Sequence, residues 1–279
     1  MNLIDVIIQG IIQGVTEFLP ISSSGHLSVY QHFFGTDDET SLLLIVMLHI
    51  GTLCSVLVAF RKEVWGMIKE LFRLLGDIFR FRNILENTNE SRRMIFMVFI
   101  ATLPLAAAYF LNDFVKGIAT DDDIIIEGVC FLITGLLLFI AFFWDRGRRD
   151  ISLMKPLDAF LVGIAQLVAI VPGISRSGST TAVAALRGLK KDTLISFSFI
   201  LSIPAILAAS ASEILAVSKS DLTVDLFILA LGFVVSAVFG SLTIWLIRWL
   251  IKKDRYVFFS YYLFLVGSIT LTVGVFEHI

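Results

Sequence analysis

Glu17, Ser23 and His26 bring a carboxylate, a hydroxyl and an imidazole together within ten residues of apolar sequence. A serine becomes a nucleophile when a base lies within hydrogen-bond reach, so Ser23 beside His26 predicts a nucleophile–base pair. Gln13 and Glu17 are four apart and share one face of a helix. Far along the chain, Arg176 stands in another apolar stretch. A guanidinium near a bilayer centre costs roughly 2.5–3.5 kcal/mol to insert and cannot shed its charge, so it requires an anion. Two anions stand open: Glu17, giving a structural salt bridge, and the phosphoryl oxygens of a ligand, which suit the guanidinium fork. Ser22, Ser24, Ser175 and Ser177 either cap broken helices or join Thr180 and Gly173 in holding phosphate. His49, in the middle of LLLIVMLHIGTL, reads as a packing or supporting residue. Glu213 and Asp5 read as span-end residues.

These side chains sit in a stretch that occurs twice. GIIQGVTEFLPISSSGHL (Gly10–Leu27) and GIAQLVAIVPGISRSGST (Gly163–Thr180) align at a constant offset of 153. Gly10, Gln13, Ile21, Ser22, Ser24 and Gly25 meet Gly163, Gln166, Ile174, Ser175, Ser177 and Gly178, while Pro20 and Pro172 slip by one. The differences carry the reactive groups: Glu17 meets Ile170, Ser23 meets Arg176, and His26 meets Ser179. One frame filled with different contents predicts a single composite site made from two halves.

The elements that position these groups must lie in a membrane. Of the 279 residues, 57% are hydrophobic and 16% charged, with a mean hydropathy of +0.89. Spans are predicted at about 42–60, 94–111, 124–144, 193–217, 226–250 and 256–276 by length and apolarity. The segments at about 2–31 and 159–187 are broken by Pro, Gly and Ser. They read as re-entrant hairpins, tolerated at depth only inside protein or beside a polar cavity. A net charge of −2 leaves no basic excess, so nucleic acid is not an expected partner. Cys54 and Cys130 read as packing residues, not a disulfide pair.

Lys and Arg concentrate in 61–93, 145–158, 187–191 and 248–255, which should be cytoplasmic. The connections holding Asp37, Asp38, Glu39 and Asp121, Asp122, Asp123 fall opposite. With six spans, both termini lie outside. The fold class is an all-α integral membrane protein, one membrane domain over 1–279. Residues 1–145 and 150–279 form two inverted-topology repeats, each a hairpin plus three spans. The 61–93 stretch should include an amphipathic helix on the cytoplasmic leaflet.

Both tips resemble the signatures of the BacA/UppP-type undecaprenyl-diphosphate phosphatases. The first is Gln13 to Glu17 followed by Ser22-Ser23-Ser24-Gly25-His26. The second is Pro172-Gly173-Ile174-Ser175-Arg176-Ser177-Gly178-Ser179-Thr180. The resemblance covers essentially the whole chain. It implies hydrolysis of undecaprenyl diphosphate to the monophosphate and phosphate, carrier recycling for the bacterial cell wall, and bacitracin resistance. It also implies a plasma-membrane site open to the outer side and a divalent cation, Mg²⁺ or Ca²⁺. Gln13 stands where the acidic motif can carry a second Glu, so a metal would lean on Glu17, substrate phosphates and water. Ser-Gly-His is similar to the PAP2-type phosphatases too, but Ala182 occupies the place of their nucleophilic His.

The expected mechanism has Ser23 attacking the terminal phosphorus, His26 as base and then acid, and Glu17 holding the metal or orienting His26. Arg176, Ser175, Ser177 and Thr180 stabilise the transferring group. Attack by a metal-bound water is open beside it. The partners are a prenyl diphosphate lipid and the surrounding membrane, and a homodimer is compatible with both. The alternative from another class is a prenyl-phosphate flippase or anion transporter, since inverted repeats with broken helices are also transporter architecture.

Overall fold

A computed structural model describes residues 2–35, 42–79, 89–108, 110, 124–144, 147–216, 225–253 and 255–277. The acidic connections at 37–39 and 121–123, Lys116, Lys219 and His278 lie outside the described residues. Those described are helical apart from short links. The helices are α1 (Leu3–Thr16), α2 (Ser23–Phe34), α3 (Leu42–Ala59), α4 (Arg61–Phe79), α5 (Glu90–Thr102), α6 (Ile125–Trp144), α7 (Pro156–Val168), α8 (Arg176–Leu186), α9 (Lys191–Ala216), α10 (Leu226–Lys252) and α11 (Val257–Glu277). Among the described residues, α3, α6, α9, α10 and α11 contain five stretches long and apolar enough to cross a membrane. The chain is therefore a multi-pass membrane protein.

The expected span at 94–111 takes a different form. Helix α5 stops at Thr102, and Leu103–Ala107 tightens into a 3₁₀ turn with Pro104 at its start. Proline lacks the N–H that would continue the α-helical ladder and clashes with the preceding turn. Residue 109 and 111–123 lie outside the described residues.

The two broken segments form helix–break–helix units at the expected places, α1/α2 and α7/α8. Asn2 caps α1 by accepting from the Ile4 amide (3.2 Å). Ser22 caps α2 through Gly25 N (3.3 Å), and its counterpart Ser175 caps α8 through Gly178 N (3.0 Å). These matched serines thus do the same local job, satisfying amides that helices leave open.

Small residues let the helices approach, as expected where lipid supplies no hydrophobic drive between them. A Cβ on Gly10 would lie 2.9 Å from Val235 of α10, and one on Gly163 would lie 2.3 Å from the Ala101 carbonyl of α5. The duplicated glycine therefore seats α1 on α10 and α7 on α5. Phe18 anchors the first break in the core, packed on Phe199 at 5.5 Å between ring centres.

Contacts join the four basic regions to one another or to neighbouring elements. Arg93 donates to the Met154 carbonyl (2.6 Å), Asp158 holds both Arg149 (2.8 Å) and Arg187 (2.7 Å), and Arg248 lies over Phe60 at 4.1 Å. Helix α4 is amphipathic as expected, with Trp65, Phe72 and Phe79 exposed. Its polar face is tied to α5 through buried Glu70, which accepts from Arg92 Nε (2.7 Å) and Asn89 (2.9 Å). Burial works against the charged Glu70 carboxylate, yet these donors and the Arg92 charge hold its pKa below the usual value.

Three outcomes follow. Gly163→Val should lower the thermal midpoint in detergent. Gly76→Ala, in the open with nothing within 4 Å of the added carbon, should hold or raise it by the equivalent of up to about 1 kcal/mol. The Glu70 contribution should be complete above about pH 4.3, the unfolded value, and vanish as pH falls through the lower folded value. The acid-induced drop in midpoint should accordingly be shallower in Glu70→Gln.

Candidate functional site

The two breaks meet each other. Ser24 accepts from Gly173 N at 3.4 Å, and Ser177 donates to the Leu19 carbonyl at 2.8 Å. Ser24 and Ser177 are counterparts in the repeat, so each tip uses the same serine to hold the backbone of the other. Glycine permits the approach: a Cβ on Gly25 would sit 2.9 Å from Gly173 Cα. Gly173 itself has φ +89°, a conformation that residues with side chains rarely adopt, and packs against Glu127 and Cys130.

Between the tips lies a cavity of about 610 Å³, lined by Glu17, Ser22, Ser23, Ser24, His49, Gln166, Ile170, Ser175, Arg176 and Ser177 among others. Glu17 is its hub. Its Oε2 accepts from Ser23 Oγ (2.7 Å) and Gln13 Nε2 (3.0 Å), and its Oε1 pairs with Arg176. The Glu17 side chain is 5% exposed and that of Arg176 21%, so the arginine keeps a face toward the cavity. Of the two anions open to Arg176, this structure shows Glu17. The first turns of α2 and α8 both line the cavity, and such N-termini favour anions through their amides and dipole. Ser22, the cap of α2, has φ 73°, the one positive φ off glycine among the described residues. Strain of that kind costs about 1–3 kcal/mol and gathers at functional sites.

The other expected site residues fall elsewhere. His26 does not reach Ser23. Its Nδ1 meets the Ser22 carbonyl (2.7 Å), its Nε2 meets the Tyr262 hydroxyl (2.8 Å), and its ring stacks on Tyr262. The expected Ser23–His26 pair is replaced by Ser23–Glu17, because α2 directs the imidazole toward α11. Thr180 is turned into the protein, donating to the Arg176 carbonyl (2.8 Å) and joined to Ser198. Cys130 and Cys54 are unpaired thiols, as their surroundings suggested.

The family description "Bacitracin resistance protein BacA" matches residues 6–269. The chain belongs to the BacA family. A relative from Alkaliphilus metalliredigens, named undecaprenyl-diphosphatase, is 38% identical over 97% of this chain and 98% of its own. Relatives of the same name from Methanobrevibacter smithii and Bacteroides thetaiotaomicron are 36% and 34% identical, each covering 96% of this chain. They cover 96% and 97% of the relatives' own lengths.

Three further residues of this BacA-family site carried little signal in the sequence. Gln166, the counterpart of Gln13, lines the cavity at 2% exposure, and neither Oε1 nor Nε2 has a protein partner. His49 also lines the cavity, with Glu213 behind it at 3.5 Å from Nδ1. The Gln13–Gln166 match hinted at the first. Nothing in the sequence pairs His49 with a glutamate 164 positions away.

Oxygen donors predominate here, which suits a hard divalent cation. Among the described residues, no three His, Cys, Asp or Glu gather as a metal cage. The residues that could hold such a cation include Glu17 and the unpartnered Gln166 Oε1, with a ligand's own oxygens completing its shell.

Glu17→Gln leaves the partly buried Arg176 cation without its anion. It should destabilise the protein in detergent by about 1–3 kcal/mol, discounted for the partial exposure of Arg176. Arg176→Met in the same background should recover part of the loss. Strict additivity of the two single changes in thermal denaturation would contradict the pairing.

Proposed function

We propose that this chain hydrolyses undecaprenyl diphosphate to undecaprenyl phosphate and inorganic phosphate in the cavity between the two tips. The observation that carries the reading is the triple contact of Ser23, Glu17 and Arg176, a hydroxyl, a base and a phosphate-fitting cation in one cavity. The names of its relatives agree with it.

In the proposed reaction the incoming diphosphate takes the place of Glu17 on the Arg176 guanidinium. Ser23 Oγ attacks the terminal phosphorus while its proton passes to Glu17 Oε2, 2.7 Å away. The bond from that phosphorus to the bridging oxygen breaks, and the prenyl monophosphate departs with the electron pair. Water then cleaves the phosphoserine and restores the hydroxyl. Arg176 and the amides of α2 and α8 stabilise the charge spread over the transferring oxygens. Ser22, Ser24, Ser175 and Ser177 support this cradle by capping and clasping the tips. His26 is a positioning residue, holding the first turn of α2 through the Ser22 carbonyl. A divalent cation, Mg²⁺ or Ca²⁺, held by Glu17 and Gln166 would supply further charge neutralisation.

The finer architecture is part of the same proposal. Residues 1–145 and 150–279 act as two inverted repeats of a hairpin and three spans, with the 90–107 region serving as the sixth. The reciprocal Ser24 and Ser177 clasps and the matched seats of Gly10 and Gly163 support it. The basic end faces the cytoplasm of a bacterial plasma membrane, so the cavity opens outward. Hydrolysis there returns the lipid carrier to cell-wall synthesis and underlies bacitracin resistance.

Purified protein in detergent should release phosphate from undecaprenyl diphosphate, and chelation should abolish release until Mg²⁺ or Ca²⁺ is returned. Ser23→Ala and Arg176→Lys should each reduce kcat by about 100-fold or more. His26→Ala should lose less, and acid quench of the wild type should trap phosphate on Ser23. Full activity of Ser23→Ala would give the attack to water. No release by folded wild type would move the assignment to lipid transport.

A further inference from the structure

Two walls of the reactive cavity run on to border a second cavity. These walls include Leu105 and Ala108, just beyond α5, and Ala205, Ile206 and Ala209 of α9. One turn further along the same two helices the second cavity begins, a groove of about 380 Å³ roofed by amphipathic α4. Ile68, Leu71, Val98, Phe99, Thr102 and Ile203 line it. The boundary is narrow in sequence: Thr102 lines the groove and Leu105 the cavity, while Pro204 lines the groove and Ala205 the cavity. A proline therefore stands at the junction on each wall, Pro104 and Pro204.

The groove is chemically unlike the cavity. Its side chains are apolar except Thr102, whose hydroxyl is turned back onto the Val98 carbonyl at 2.8 Å. It opens sideways, since Phe99 is 62% exposed and Leu71 48% exposed on its lip. An anion cavity beside a dry trough with a lateral opening fits an amphiphile whose head and tail separate at the prolines. We propose that the first isoprene units of the prenyl diphosphate lie in this α4–α5–α9 groove while the diphosphate occupies the cavity. The assignment rests on the hydrolase reading for the identity of the head group. A groove of 380 Å³ takes roughly a dozen heavy atoms at ~30 Å³ apiece, which is about two isoprene units and not a whole long tail. The rest of the tail leaves over Phe99 and Leu71 into lipid. The protein thus reads the head and the start of the tail and is indifferent to the remainder.

The test has two readouts on the full-length protein in detergent. The first is kcat/KM for phosphate release from farnesyl diphosphate and from isopentenyl diphosphate. Wild type should prefer the farnesyl compound. Ile68→Trp and Leu71→Trp, which narrow the groove, should cut that preference about tenfold, because the one-unit tail of isopentenyl diphosphate loses less than the farnesyl tail. Equal loss on both substrates, or an unchanged preference, would overturn the groove as the tail site. The second readout is photolabelling by a farnesyl diphosphate analogue carrying a diazirine on its tail. Labelled peptides should fall within 64–71, 95–102 and 200–204, and excess farnesyl diphosphate should protect them. Labelling of other faces would overturn the proposal. So would equal labelling by a diazirine phospholipid, which makes the groove a site for bulk acyl chains, or protection by chain-to-chain cross-linking, which makes it a contact between copies. Protected groove labelling with no phosphate release would instead sink the hydrolase reading and leave the tail assignment standing.

Discussion

A backbone that breaks among apolar surroundings must find its hydrogen bonds within the protein, because no water is there to supply them. This chain breaks twice, and each break is satisfied by its own turns and caps and by the other break. Ser24 reaches Gly173, Ser177 reaches Leu19, and Arg176 reaches Glu17. Most of the remaining structure follows from that meeting. The glycines that seat α1 and α7 on their partner helices bring the tips to one depth, and Gly25 and Gly173 let the backbones touch. Phe18 and its aromatic neighbours fill the space behind the first tip.

The same meeting explains how a duplicated frame becomes an asymmetric site. Positions that match between the halves do matching work, as Ser22 and Ser175 do in capping and Ser24 and Ser177 do in clasping. Positions that differ supply the reactive groups, so the contact between halves places Ser23 and Glu17 of one against Arg176 of the other. Two identical tips would give two hydroxyls or two cations. The difference at one aligned position, Ser23 against Arg176, gives a nucleophile facing a clamp.

Much of this was legible in the sequence because it is local or periodic. The apolar runs place α3, α6, α9, α10 and α11 within a few residues, and the Pro, Gly and Ser clusters place both breaks. Within the expected span at 94–111 the α-helix gives way to a 3₁₀ turn at a residue already visible, Pro104, which cannot supply the N–H that the ladder needs. The site was less legible where it depends on direction. Ser23 and His26 are three apart, and only the fold shows that the imidazole turns to Tyr262, 236 positions away. Thr180 fits the phosphate pattern by spacing, yet its hydroxyl faces back along its own helix. Gln166 and His49 enter the cavity through packing between helices distant in sequence, which no local pattern records.

The most direct test is a structure of the protein with a prenyl methylene-bisphosphonate, a diphosphate analogue whose bridge cannot be cleaved. The terminal phosphoryl group should lie between Ser23 Oγ and the Arg176 guanidinium, with Glu17 released from Arg176 and retained on Ser23. A head group bound instead at the opposite, basic end, in the polar cavity lined by Lys190 and Arg248, would contradict a composite site at the tips.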